Sequence, residues 1–179
     1  TNKQMPKSVN IDVVRSISTD TQGNTWIGTS GKGLACINND KNSFKTISTN
    51  NSALASNRII SLNHSNKSLW IGHQGYGLNI LEPSGHYKYY SDISNFTIWG
   101  MLTETKQRTW LCTEKNGLIL FDKNEGIIER YNTKNSALTT NNIKTIIKGN
   151  QNEFWIGTEN SGVFKFSKLT NKITKLNNV

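Results

Sequence analysis

Trp26-Ile27-Gly28-Thr29, Trp70-Ile71-Gly72-His73, Trp110-Leu111-Cys112-Thr113 and Trp155-Ile156-Gly157-Thr158 are four copies of one word, set 44, 40 and 45 residues apart. Self-similarity at a period of roughly 20–50 residues marks a solenoid, propeller or array. The repeat extends well beyond the tryptophan. A glycine follows seven residues on (Gly33, Gly77, Gly117, Gly162), and an aliphatic residue follows the glycine (Leu34, Leu78, Leu118, Val163). Upstream stands an apolar pair: Val14 and Ile17, Ile59 and Leu62, Ile98 and Met101, Ile143 and Ile146. Another aliphatic precedes each pair, at Val9, Leu54, Ile93 and Leu138. Downstream lie Phe44 and Ile47, the aromatic cluster Tyr87, Tyr89 and Tyr90, then Ile128 and Tyr131, and Ile173 and Leu176.

Each unit holds four short apolar-rich runs separated by turn residues, with no sustained helical period. In the first unit they cover about 13–19, 24–29, 33–38 and 43–48. Gly23 closes the first hairpin with a left-handed backbone. Its slot holds Lys67, Gln107 and Asn152 in the later units, and of these only Asn adopts that conformation cheaply. Four strands in about 43 residues is one propeller blade. The expected fold is therefore all-β, with four four-stranded antiparallel blades at about 10–50, 57–91, 96–133 and 142–178. A sheet this small cannot bury itself, so the indole is expected to wedge each blade against the next. Gly28, Gly72 and Gly157 allow the close approach, and Cys112 departs from that column.

Composition agrees with a sheet-rich protein. Of 179 residues 34% are hydrophobic, and asparagine is the commonest residue, which suits a lean core and many solvated turns. No run of about 18 apolar residues is present to span a membrane. The chain begins at Thr1, which reads as a processed chain or a piece of a longer one. The formal charge of +9 comes from lysines scattered along the turns, without a basic helix or zinc spacing. They read as a solvated surface, not as a nucleic-acid footprint, although an anionic ligand remains open. Cys36 and Cys112 occupy different columns of non-adjacent units and read as two small buried hydrophobes rather than a bridge.

Within the first unit, Ser16, Ile17, Asp20, Gly23, Asn24, Trp26, Ile27, Gly28, Thr29, Gly33 and Leu34 closely resemble the two-component regulator propeller repeat. The linker Asn-Ser-Ala-Leu-x-x-Asn at 51–57 and 135–141 resembles it as well. The likeness covers all four units and is weakest in the third. It implies a fragment of a seven-bladed propeller from the periplasmic ectodomain of a hybrid two-component sensor of the kind common in Bacteroidetes. Such a parent is an inner-membrane histidine kinase, and several of its kind respond to polysaccharide breakdown products. Four blades leave no strand to close a ring of seven. An open arc with exposed apolar end faces, able to self-associate, is favoured over a tightly closed four-blade ring.

In an antiparallel meander the turn between runs two and three, the crossover to the next blade and the start of run one share one end, at the mouth of the central channel. Columns that vary there are candidates for specificity. One is Arg15, Ile60, Trp99 and Lys144; another is Lys32, Tyr76, Asn116 and Ser161, with Gln74, Lys115 and Glu159 nearby. Turn tips also vary when nothing constrains them. Trp99 stands out as the tryptophan outside the repeated word. An aromatic face flanked by Arg15, Lys144, Tyr76, Lys32 and Lys115 suits an oligosaccharide, above all an anionic one. No cofactor or metal is implied. His64 and His86 fall in turns and His73 at a strand end, and they read as surface or half-buried rings sharing no column. No carboxylate pair is placed for acid–base work, so the segment reads as a binding module, not an enzyme. A propeller lyase or glycan hydrolase, and a protein-binding array, are the alternatives.

Overall fold

The computed structural model describes residues 13–39, 43–150 and 152–176. Val9 and the expected start of the first blade near residue 10 lie outside the described residues. Sixteen strands form four antiparallel sheets, each in simple chain order. The first comprises β1 (Val14–Thr19), β2 (Thr25–Thr29), β3 (Leu34–Ile37) and β4 (Phe44–Ile47). The second comprises β5 (Ile59–Ser65), β6 (Ser68–His73), β7 (Leu78–Leu81) and β8 (Tyr87–Tyr89), followed by a 3₁₀ turn over Ser91–Ile93. The third holds β9 (Ile98–Thr103), β10 (Arg108–Thr113), β11 (Leu118–Asp122) and β12 (Gly126–Tyr131). The fourth holds β13 (Ile143–Lys148), β14 (Glu153–Thr158), β15 (Val163–Ser167) and β16 (Lys172–Lys175).

The inner strands β1, β5, β9 and β13 pack against one another in that order. Three apolar clusters lie one at each junction of successive sheets. Trp70 is fully buried among Ile98, Leu111 and Phe121 of the third blade, and Trp110 is 3% exposed among Ile143, Phe154 and Phe166 of the fourth. The indole of each inner blade thus closes the junction with the blade that follows. Trp155 has no following blade among the described residues and is half-buried. Beside it on the same face, its strand partner Ile147 is 57% exposed. At the other end Ile17, whose counterparts Leu62, Met101 and Ile146 pack on the preceding blade, is 64% exposed. Among the described residues the four blades are an arc with two uncovered apolar faces.

The repeated glycine turns serve the joints between blades. Gly33, Gly77 and Gly117 have φ of +81°, +66° and +81°, and each donates its N–H to a carbonyl just ahead of the next inner strand, on Asn57, Phe96 and Asn141. A Cβ at these positions would meet the backbone oxygens of Ile47, Ile93 and Tyr131 at 2.0–2.3 Å, so glycine is required twice over. The asparagines of the crossovers are equally local in purpose. The Asn51 carboxamide oxygen accepts from Ser48 N–H while its amide donates to the Thr46 carbonyl; Asn135 makes the same pair with Asn132 and Arg130. Asn57 and Asn141 accept from Thr49 and Thr133 N–H in the same way. The repeated linker is therefore a hydrogen-bonding unit that satisfies backbone groups where the sheet stops.

Some expectations are corrected. His64 lies within β5, not in a turn, and His73 is fully buried. Cys36 is only half-buried, whereas Cys112 is fully so. Lys67 takes φ +66° beside Asn66 at +47°, in a two-residue hairpin whose twist matches its strands. The Cys112 departure is balanced across the strand pair. Gly28, Gly72 and Gly157 face Ser16, Ser61 and Thr145, while Cys112 faces Gly100. The side chain has moved to the other strand, and the joint keeps one small residue and one glycine.

Candidate functional site

Each inner strand begins with the same irregularity. The register slips between Val14 and Ser16, Ile59 and Ser61, Ile98 and Gly100, and Ile143 and Thr145. The extra residue in the four β-bulges is Arg15, Ile60, Trp99 or Lys144, the variable column singled out in the sequence. A bulge lifts its residue out of the strand alternation and re-aims the side chain, and bulges recur beside functional sites. The bulge itself leaves no signal in a single copy; four copies aligned show it as a position out of step with the apolar pair.

Two of these residues meet. Lys144 Nζ lies 3.6 Å from the centroid of the Trp99 ring. It also pairs with Glu159 Oε1 at 2.9 Å, and Glu159 Oε2 accepts from the Asn142 side-chain amide at 3.2 Å. Asn142 Oδ1 in turn accepts from the Lys115 N–H at 2.9 Å, with Lys115 held at φ +66°. A continuous set of contacts thus runs from the inner wall of blade 3 to the mouth-side turn of blades 3 and 4. One face of the indole is covered by the ammonium, and the Trp99 N–H is buried without a hydrogen-bond partner among the described residues. Beside this set, Lys115, Arg130 and Lys134 with Asn116, Asn132 and Asn141 line a shallow concavity of about 190 Å³ that is net positive.

Arg15, Lys32 and Tyr76 are exposed, and no described contact joins them to Trp99 or Lys144. They sit at the same end, on the first two blades. Lys32 donates its backbone N–H to Thr29 Oγ1, a bond that shapes the turn and leaves the ammonium free of that role. Sequence reading did not find Asn142, which links two of the candidates through its carboxamide.

His73 belongs to the joint, not to the mouth. Thr29, Thr113 and Thr158 occupy its column and donate their hydroxyls to Gly33, Gly117 and Gly162 carbonyls. In blade 2 the ring Nε2 instead lies 2.9 Å from Asn79 Oδ1. The Asn79 amide nitrogen faces the Ala53 and Lys88 carbonyls, which leaves Oδ1 as the acceptor and Nε2 as the protonated ring nitrogen. Burial drives the ring's pKa down from 6.5 to about 4. Burial also pushes the Cys112 thiol far above its ordinary value, so neither group is poised to react near neutrality. Among the described residues no three His, Cys, Asp or Glu side chains are grouped to hold a metal.

Four-stranded antiparallel blades packed face to face, with their inner strands side by side, define a β-propeller architecture. Residues 8–31 match the family model described as two component regulator propeller. Among solved structures, the extracellular domain of a protein described as a hybrid two component system of B. thetaiotaomicron superposes with a TM-score of 0.80 at 23% identity, covering 96% of this chain and 23% of that one. A second extracellular domain of that description from the same organism gives 0.77 at 20% identity, covering 92% and 25%. Virginiamycin B lyase from Staphylococcus aureus gives 0.71 at 16%, covering 90% and 54%. The chain spans about a quarter of the length of the two B. thetaiotaomicron extracellular domains. These likenesses establish the fold. No curated protein matches the sequence.

Proposed function

We propose that this chain is a ligand-sensing propeller segment of the periplasmic ectodomain of a hybrid two-component sensor, and that it binds an oligosaccharide at the channel mouth. The observation that carries this reading is the bulge column. The scaffold turns one residue per blade out of the sheet, and the chain places there an aromatic ring, two cations and Ile60 in place of a repeated residue. The repeat at residues 8–31 and the company of the two extracellular domains support the sensor part.

The free face of Trp99 stacks on a pyranose ring, and Arg15, Lys144 and Lys115, with Lys32 and Tyr76 at the turns, engage its acidic or hydroxyl substituents. Ligand bridging adjacent blades favours one relative tilt over another, which is the differential affinity a two-state sensor needs. The segment itself performs no chemistry, and it meets the membrane only through the kinase that carries it. Its apolar end faces self-associate when the segment is isolated.

The test is a thermal-shift and calorimetric screen of the complete ectodomain against neutral and acidic oligosaccharides. Stabilisation by one glycan class, lost on Trp99→Ala, is the expected result. No shift with either class refutes the glycan assignment.

A further inference from the structure

A cleft of about 380 Å³ lies at the other end of the blades, between blades 1 and 2. Its origin is visible when the three junctions are aligned. At the junction of blades 2 and 3, Tyr90 meets Phe121 edge to face at 4.8 Å, and both pack with Trp70. At the junction of blades 3 and 4, Tyr131 meets Phe166 edge to face at 5.3 Å beside Trp110. The same two positions at the junction of blades 1 and 2 hold Ile47 and Leu81, by their pairing with Leu34 and Tyr87. A third position is also lighter: Cys36 stands opposite Trp26 where Ile80 and Leu120 stand opposite Trp70 and Trp110. All three reduced residues line the cleft.

The consequences reach the wedge residue itself. Trp26 is half-buried while Trp70 and Trp110 are covered, and its ring looks into the cleft toward His64, 6.2 Å away and tilted at 51°. The Trp26 N–H is already bonded to Asp20 Oδ2 at 3.1 Å, so the face and not the N–H is on offer. Tyr87 replaces the Ile127 and Ile173 of the later blades and forms the far wall.

In the filled junctions the tyrosine hydroxyl also has a fixed role. Tyr90 donates to the Lys123 carbonyl at 2.7 Å, and the Tyr131 hydroxyl lies 2.5 Å from both Glu129 Oε2 and Asn171 Oδ1; Lys123 and Asn171 stand on the turn between the third and fourth strands of the next blade. The matching turn of blade 2 borders the cleft through Pro83 and Gly85, and no tyrosine hydroxyl among the described residues is hydrogen-bonded to it. We infer that this cleft is a binding site for a planar aromatic ring bearing a hydroxyl, which takes the place of the missing Tyr–Phe pair: its ring packs between Trp26, Tyr87 and Leu81 and its hydroxyl reaches the Glu82–His86 turn. The site is distinct from the mouth and does not depend on the glycan reading.

p-Cresol, the tyrosine side chain as a free molecule, is the probe, and methyl glucoside is the comparison. Titration of the 179-residue chain by calorimetry and ligand-observed NMR should give p-cresol a dissociation constant on the order of 1 mM, with the glucoside at least tenfold weaker. Bound p-cresol should slow alkylation of the half-buried Cys36 severalfold while leaving the buried Cys112 unlabelled. Ile47→Tyr with Leu81→Phe restores the pair, and it should raise Tm and weaken p-cresol at least tenfold. Cys36→Leu alone, a milder filling, should weaken it severalfold and serves where the double variant fails to fold. Absence of p-cresol binding to the natural chain overturns the inference. So does unchanged binding in the filled variants, and so does a glucoside that binds as well as p-cresol and protects Cys36 equally.

Discussion

Lys144 stands over the ring of Trp99, with Nζ 3.6 Å from its centroid, although the two residues hold the same position in successive blades. The contact therefore crosses the joint at the channel wall, so the proposed ligand site depends on the relation between blades. Trp99→Ala should lower stability by no more than about 2 kcal/mol, since the ring is half-buried and the cation contact is worth about 0.5–2 kcal/mol. The same substitution should abolish glycan binding by the complete ectodomain. Denaturant unfolding alongside calorimetry separates the two effects. Collapse of the fold on Trp99→Ala would show the ring to be scaffold.

His73 makes stability depend on pH. Its pKa is about 4 in the fold against 6.5 unfolded, because burial disfavours the charged ring. The unfolded chain therefore binds the extra proton between those values, so the stabilisation is complete above about pH 6.5 and is lost as pH falls toward 4. The 2.5-unit difference corresponds to about 3 kcal/mol. Urea unfolding across pH 7 to 4 should show that slope. His73→Thr, which restores the residue of the other blades, should flatten it.

Cys112 and Gly100 should prove coupled. Cys112→Gly leaves a gap in the buried joint, and Gly100→Ser alone brings a Cβ within 2.9 Å of the Lys144 carbonyl. Together they rebuild the Ser61–Gly72 arrangement, in which the serine hydroxyl donates to the Ile98 carbonyl at 2.6 Å. The double variant should be more stable than the sum of the single losses predicts, by at least about 0.5 kcal/mol in a double-mutant cycle.

Ile17 and Ile147 mark the two uncovered end faces, at 64% and 57% exposure. Sedimentation velocity on the isolated chain should show concentration-dependent association, and Ile17→Lys with Ile147→Lys should make it monomeric. Association that persists in the double variant would assign the contact to another surface.

The repeat made the architecture legible because its columns are joints: the tryptophan, the glycine seven residues later and the crossover asparagines each recur for a mechanical reason seen in the fold. Lys67 and Cys112 looked like exceptions, yet both are solved locally, by a hairpin of matching twist and by a glycine moved to the partner strand. The candidate column was legible as variation, but the bulge that turns it outward was not, because a bulge is a matter of register and not of residue type. Asn142 was missed for a similar reason: its carboxamide links Lys115 and Glu159 across two turns that sequence alone does not bring together. The cleft of blades 1 and 2 was hidden because Ile47, Leu81 and Cys36 are ordinary apolar residues. Only their alignment with Tyr131, Phe166 and Leu120 in space shows them to be small.

The wedge role of the tryptophans is tested most directly by equilibrium unfolding of three single variants, Trp70→Ala, Trp110→Ala and Trp155→Ala. Trp70 and Trp110 close joints and are buried, so each should cost about 3–5 kcal/mol; Trp155 lies on an uncovered face and should cost well under half of that. Equal losses at all three positions, or a loss at Trp155 greater than at Trp70, would contradict a fold held together blade against blade by these indoles.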